Sequence, residues 1–281
     1  MKKLLIGAVV IAAGAAAAWQ YLGQNQSKQA LASNTASGTV AAAPEKTLRI
    51  ALEGKYPPFE YIDANNQLTG FNVDLANALC AEMKVKCEFT RFDFDKLIPS
   101  LNENKADAVV ASLSITEERE KLVQFTDVYT RVPGTYVASK KSKIIWPVIT
   151  AERIRGETIG VVAKTTFDDY LSNEMDQSKV TIKRFNSADE MMTALEKDEV
   201  KLVFDDSAVL GHFLKSPANQ DRFEMVGNRI DSPKWLGRGE AIALRKDDVE
   251  LRNQFNTALQ KLIQSGEHQQ IGYKYFTLRV L

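Results

Sequence analysis

The stretch ASLSITEER, residues 111–119, places two serines and a threonine ahead of two glutamates and an arginine. Ser112 and Ser114, two residues apart, fall on the same side of an extended backbone. Thr116 carries the hydroxyl of a helix N-cap, and Arg119, three residues on, falls in the first helical turn. A helix dipole favours anions at that end, so a cation there points to an external anion held jointly by the guanidinium and the free N–H groups of the helix start. The plain alternative is a surface arginine paired with Glu117 or Glu118.

Other chemistry is sparse. GVVAKTTFDDY, residues 160–170, has part of a phosphate loop but lacks the second glycine of G-x-x-x-x-G-K-T. The two histidines, His212 and His268, stand beside no nucleophile pattern and no metal-ligand spacing. Most carboxylates, such as those of EKDE at 196–199, read as solvated helix faces. Cys80 and Cys87 are the only cysteines. They follow an export-type N-terminus, MKKLLIGAVVIAAGAAAAWQYL, so a disulfide that staples a helix end to the next strand is expected.

These residues need elements to position them. The 281-residue chain, 44% hydrophobic, can bury a substantial core as one large domain or two small ones. Lysine plus arginine and aspartate plus glutamate number 36 each, which gives no basic field for nucleic acid. Residues 1–22 read as a signal peptide or an uncleaved N-terminal membrane anchor, and 23–46, rich in alanine, serine and glutamine, as a flexible linker. From Thr47 strands and helices alternate: TLRIAL, NVDLANALCAEM, CEFTRF, FDKLIPSLNEN and ADAVVAS, then ETIGVVA, TFDDYLSNEM, VTIKRF, SADEMMTALEKDE and VKLVFDD. That is an α/β chain of two similar units, each predicted as a mostly parallel sheet flanked by helices, closed by a long helix ending at Gly266 and a shorter one. In such sheets ligands gather beyond the carboxyl ends of the strands, where ASLSITEER begins.

The combination YPPFEY (56–61), GFNVDLANALC (70–80), FDKLIPSLNENKADAVVASLSITEER (94–119) and ALRKDD (243–248) resembles the periplasmic solute-binding proteins of polar amino-acid ABC transporters, chiefly those for arginine or for lysine, arginine and ornithine. The cysteine spacing matches that subgroup too. The resemblance implies a two-lobed type II periplasmic-binding-protein fold with two crossover hinge strands, lobe 1 from residues 47–133 and 236–281 and lobe 2 from 134–235. It further implies a monomer that binds a free cationic amino acid and delivers it to a membrane permease, with no catalytic residue, cofactor or metal. Sensor receptors and dehydratase-like enzymes share the fold and form the competing readings.

Carried over by position, Arg119 would clamp the ligand carboxylate with the N–H groups of Ser114 and Thr166, and Asp205 would take the ammonium with the Ser112 carbonyl and the Ser114 hydroxyl. Tyr56 and Phe94 would sandwich the side chain, and Glu53 would read its distal charge. Ala111 and Phe167 replace a serine and a polar amide of the broad-specificity relatives, which makes this pocket less polar.

Overall fold

The computed structural model describes residues 46–276. The expected export segment and, apart from Lys46, the linker lie outside the described residues. The chain begins with β1 (Thr47–Leu52), a small antiparallel flap of β2 (Lys55–Tyr56), β3 (Glu60–Ile62) and β4 (Leu68–Thr69), and helix α1 (Phe71–Glu82). It continues through β5 (Lys86–Arg91), α2 (Leu97–Asn102), β6 (Ala108–Val109), α3 (Glu117–Glu120) and β7 (Gln124–Phe125). After crossing it forms β8 (Gly134–Ser139), β9 (Thr158–Val162), α4 (Thr166–Glu174), β10 (Thr181–Phe185), α5 (Ala188–Glu196) and β11 (Leu202–Asp206). Then come α6 (Ser207–Lys215), α7 (Pro217–Gln220), β12 (Phe223–Ile230) and α8 (Pro233–Leu236), before the return through β13 (Ala243–Leu244), α9 (Val249–Ser265) and α10 (Glu267–Tyr275).

The two main sheets repeat one order. The first runs β5-β1-β6-β13-β7 and the second β10-β9-β11-β8-β12. In each, the fourth strand is antiparallel to both neighbours, so four strands run one way and one runs against them. The reversed strand is the one entering from the other lobe: β8 on the outward crossing and β13 on the return. The mostly parallel sheets expected from the alternating pattern are thus present, with the exception located at the crossovers. Those two segments pair with each other, the Glu240 N–H donating to the Thr130 carbonyl at 2.8 Å and the Tyr129 N–H to the Glu240 carbonyl at 3.0 Å.

Both sheets are covered on both faces, as parallel sheets require. Period-two alternation divides the strand residues: Ile50 and Val110 join the core under α1 and α9, while Ala51 and Val109 join a separate cluster with Leu97 and Leu101 of α2. In the second sheet Ile159, Val161, Leu202 and Phe204 pack with Leu171 of α4, and Val203 faces Met191 of α5 and Val209 of α6. Gly266 closes α9 in the left-handed conformation at φ 80°, the position where the residue without a Cβ is favoured. Cys80 and Cys87 form the expected disulfide, tying α1 to β5. A loop this short contributes roughly 2 to 3 kcal/mol by the loop-entropy model. Among the described residues no helix is long and apolar enough to cross a membrane.

Candidate functional site

A cavity lies between the lobes, at the carboxyl ends of the parallel strands. Its walls include Glu53 after β1, Tyr56 on the flap, Phe94 after β5, Ser112, Ser114 and Arg119 after β6, and Thr166 at the start of α4. Seven of the eight expected binding residues therefore converge there from stretches up to 113 positions apart in sequence, together with Ala111 and Phe167.

Thr116 caps α3 as expected, its Oγ1 accepting from the Arg119 N–H at 3.2 Å. The Arg119 guanidinium donates to the Ser114 carbonyl at 2.9 Å and lies 5.6 Å from the Phe94 ring centroid. Among the described residues it has no ion-pair partner, so pairing with Glu117 or Glu118 is not what holds it. Burial draws its pKa down to about 10, against the attraction of Asp169 from the other lobe. A desolvated guanidinium without a counterion is an acceptor site for an external anion. On the second sheet, Thr165 caps α4 by accepting from the Asp168 N–H at 3.2 Å, and Thr165, Thr166 and Phe167 at that helix start line the cavity.

Acids occupy the other walls. Glu53 is 6% exposed, and burial pushes its carboxyl up to about 7, with Asp205, Asp93 and Asp189 adding repulsion and Lys55 opposing it. Its Oε1 has no hydrogen-bond partner. An approaching cation would satisfy both conditions.

One expectation is corrected. Ser112 and Ser114 do not share one face of an extended backbone, because Ser112 adopts φ 47° and its N–H donates to the Tyr129 hydroxyl at 2.9 Å. The kink directs the Ser112 hydroxyl instead to Asn72 Nδ2, at 3.1 Å. Asp205 stands at the end of β11 as expected but does not line the cavity. Its Oδ1 accepts from the Tyr56 hydroxyl and from the Asp206 N–H, each at 2.7 Å, while Oδ2 is buried without a partner. Burial raises Asp205 to about 6 despite those two donors.

Sequence reasoning missed three further acids in the wall, the buried Glu60 and Glu240 and the exposed Asp231. Glu60 lies within YPPFEY, between two aromatics on a proline-rich turn, which is a poor place for a solvated acid. Glu240 heads the apolar run AIAL and so interrupts an otherwise buried strand. Asn72 Nδ2 donates to Glu60 Oε2 at 2.6 Å, and burial holds that carboxyl well above the usual range.

The model of bacterial extracellular solute-binding proteins, family 3, matches residues 48–278. An L-arginine-binding protein of Pseudomonas aeruginosa is 38% identical over 239 residues, 85% of this chain and 91% of that protein. A lysine/arginine/ornithine-binding periplasmic protein of Escherichia coli is 35% identical over 88% of this chain and 94% of its own length. A solved Salmonella typhimurium periplasmic binding protein, described by its high arginine specificity, superposes with a TM-score of 0.74 at 33% identity, covering 83% of this chain and all of that one.

Proposed function

This chain belongs to the bacterial extracellular solute-binding proteins of family 3, and we propose that it binds a free cationic L-amino acid, arginine ahead of lysine and ornithine, for delivery to an ABC-transporter permease. The observation that carries the reading is a single cavity with an unpaired guanidinium, Arg119, on one wall and an unsatisfied carboxylate, Glu53, on another. A zwitterion with a distal cation is the ligand class that answers both.

Arg119 takes the carboxylate bidentately, assisted by the N–H groups of Ser114 and Thr166. The Ser112 carbonyl and the Ser114 hydroxyl take the ammonium, with the Asp205 carboxylate acting from behind the Tyr56 hydroxyl. Tyr56 and Phe94 hold the aliphatic or guanidinium portion, where a flat cation gains about 0.5 to 2 kcal/mol from ring faces. Glu53 accepts the guanidinium as a fork, a geometry an ammonium does not match. Residues 47–133 with 236–281 close on residues 134–235 by bending at the paired crossover segments, and the protein works as a monomer in the periplasm, released or held by its N-terminal segment. It binds its ligand without converting it.

A thermal-shift screen across the twenty amino acids plus ornithine and citrulline, with product analysis of each mixture, tests this. Arginine at 100 times its dissociation constant should stabilise the protein by about 2.7 kcal/mol and be recovered unchanged. A shift with glutamine or histidine and none with arginine, or conversion of the ligand, would overturn the reading.

A further inference from the structure

We propose that Glu240 is a ligand contact, a second carboxylate at the α-ammonium end of the cavity, and that it sets the requirement for a free α-amino group. The inference rests on the amino-acid-binding reading and adds to it a residue on the return crossover rather than at a strand end.

The placement follows from backbone pairing. Glu240 lies opposite both Ser114 and Thr130 in antiparallel bridges. Ser114 is the residue whose carbonyl holds Arg119. In an α-amino acid the carboxylate and the ammonium are attached to the same carbon, so a ligand whose carboxylate sits on Arg119 must put its ammonium beside this same strand pair. The approach is close by construction. Gly237, at φ 81°, lies so near Ser114 and Ile115 that a Cβ there would fall 2.6 Å from the Ile115 carbonyl oxygen.

The side chain is equipped for the task. Glu240 lines the cavity yet is only 7% exposed, and its Oε2 is buried without a hydrogen-bond partner. Ser112 hydrogen-bonds the carboxyl, and the same Ser112 hydroxyl accepts from Asn72, which also holds Glu60. That chain fixes the head group while leaving one oxygen open. No lysine or arginine pairs with it among the described residues. The charges that act on it are those of acids, Asp206 at the end of β11 and Glu60 on the flap, while Arg119 and Arg131 line the same cavity without forming an ion pair with it. Burial first, and then Asp206, hold its carboxyl well above the ordinary range. An incoming ammonium would offset both costs, which an apolar group or a second hydroxyl would not.

Arginine and 5-guanidinopentanoate, its analogue without the α-amino group, separate this contact from the rest of the site. Affinities for both, and for citrulline, are measured by displacement calorimetry on the unaltered protein, on Glu240→Gln and on Glu240→Ser, with circular dichroism to verify folding. Arginine should weaken at least tenfold in both variants while 5-guanidinopentanoate changes less than threefold. The ratio of arginine to citrulline affinity should stay where it was, because the distal group is read by Glu53. Equal weakening of arginine and 5-guanidinopentanoate would assign Glu240 to hinge packing and overturn the inference, as would arginine affinity unchanged in both variants; either result leaves the amino-acid reading intact. Failure of the unaltered protein to bind arginine or any other α-amino acid would instead remove the reading on which the inference stands.

Discussion

The ends of β1, β5 and β6 in the first sheet lead to Glu53, to Phe94 and to the run from Ser112 to Arg119, whereas the matching ends of β9, β10 and β11 in the second lead to Thr166, Ala188 and Asp205. The backbone plan is the same and the chemistry is not. The first lobe brings a guanidinium, aromatic rings and buried acids to the cavity. The second brings a helix start, the apolar Phe167 and Ala188, and two acids, the exposed Asp231 on the wall and Asp205 screened behind the Tyr56 hydroxyl. A repeated scaffold thus permits a division of work, in which the first lobe would supply most contacts to both charged ends of a ligand and the second would mainly cover it.

If that division holds, the largest losses come from the first lobe. Arg119→Ala should cost on the order of 2 to 5 kcal/mol in arginine binding, the range for removing one partner of a buried charge pair. Arg119→Lys should recover little, since a point charge makes no forked contact. Calorimetry on both, with circular dichroism to verify folding, checks this. An affinity within threefold of the unaltered protein would return Arg119 to a structural role and dissolve the contrast between lobes.

Glu53 should have the next effect and a pH signature. With its carboxyl raised to about 7 in the empty cavity, the ionised form that a cation requires prevails above that pH and is lost below it. Arginine affinity should therefore fall about tenfold between pH 8 and pH 6 through this group alone. Glu53→Gln should weaken arginine by roughly 1.5 to 3 kcal/mol, the worth of a charged hydrogen bond, and reduce that pH slope, while citrulline changes much less. A variant that keeps both the affinity and the slope would mean another acid reads the distal group.

These contrasts were partly legible beforehand. Short apolar runs and the period of 3.6 located most strands and helices, because burial on both sheet faces makes β1, β9 and β11 near-continuous apolar runs. The short reversed strand β13 left little trace, since two residues carry no period. At the cavity, strand ends and the Thr116 cap were readable because they are local. The Tyr56 hydroxyl on Asp205 was not, for it joins residues 149 positions apart. Glu240 escaped for the same reason: its neighbours Ser112, Ser114 and Thr130 lie more than a hundred residues earlier, and only the return crossover brings them together.

The smallest effect belongs to the covering lobe. Lys164, between β9 and α4, reaches Asp95 of the first lobe with Nζ 2.9 Å from Oδ2, and the two side chains are 69% and 30% exposed. A pair so open to solvent is worth about 0.2 to 1 kcal/mol and is screened by salt. Asp95 also has Lys96 at 3.3 Å, so loss of Lys164 leaves it a counterion. Lys164→Ala should therefore weaken arginine by no more than about fivefold, chiefly by faster release, because the pair forms when the lobes meet rather than when the ligand is first held. The loss should shrink toward zero at about 0.5 M salt, where the screening length is shorter than the reach of an exposed pair. Asp95→Asn should produce a similar loss, and the double variant little more than either alone, as for two ends of one contact. Stopped-flow release rates at low and high salt would measure all three. A loss above tenfold, or one indifferent to salt, would place recognition as well as closure in the second lobe.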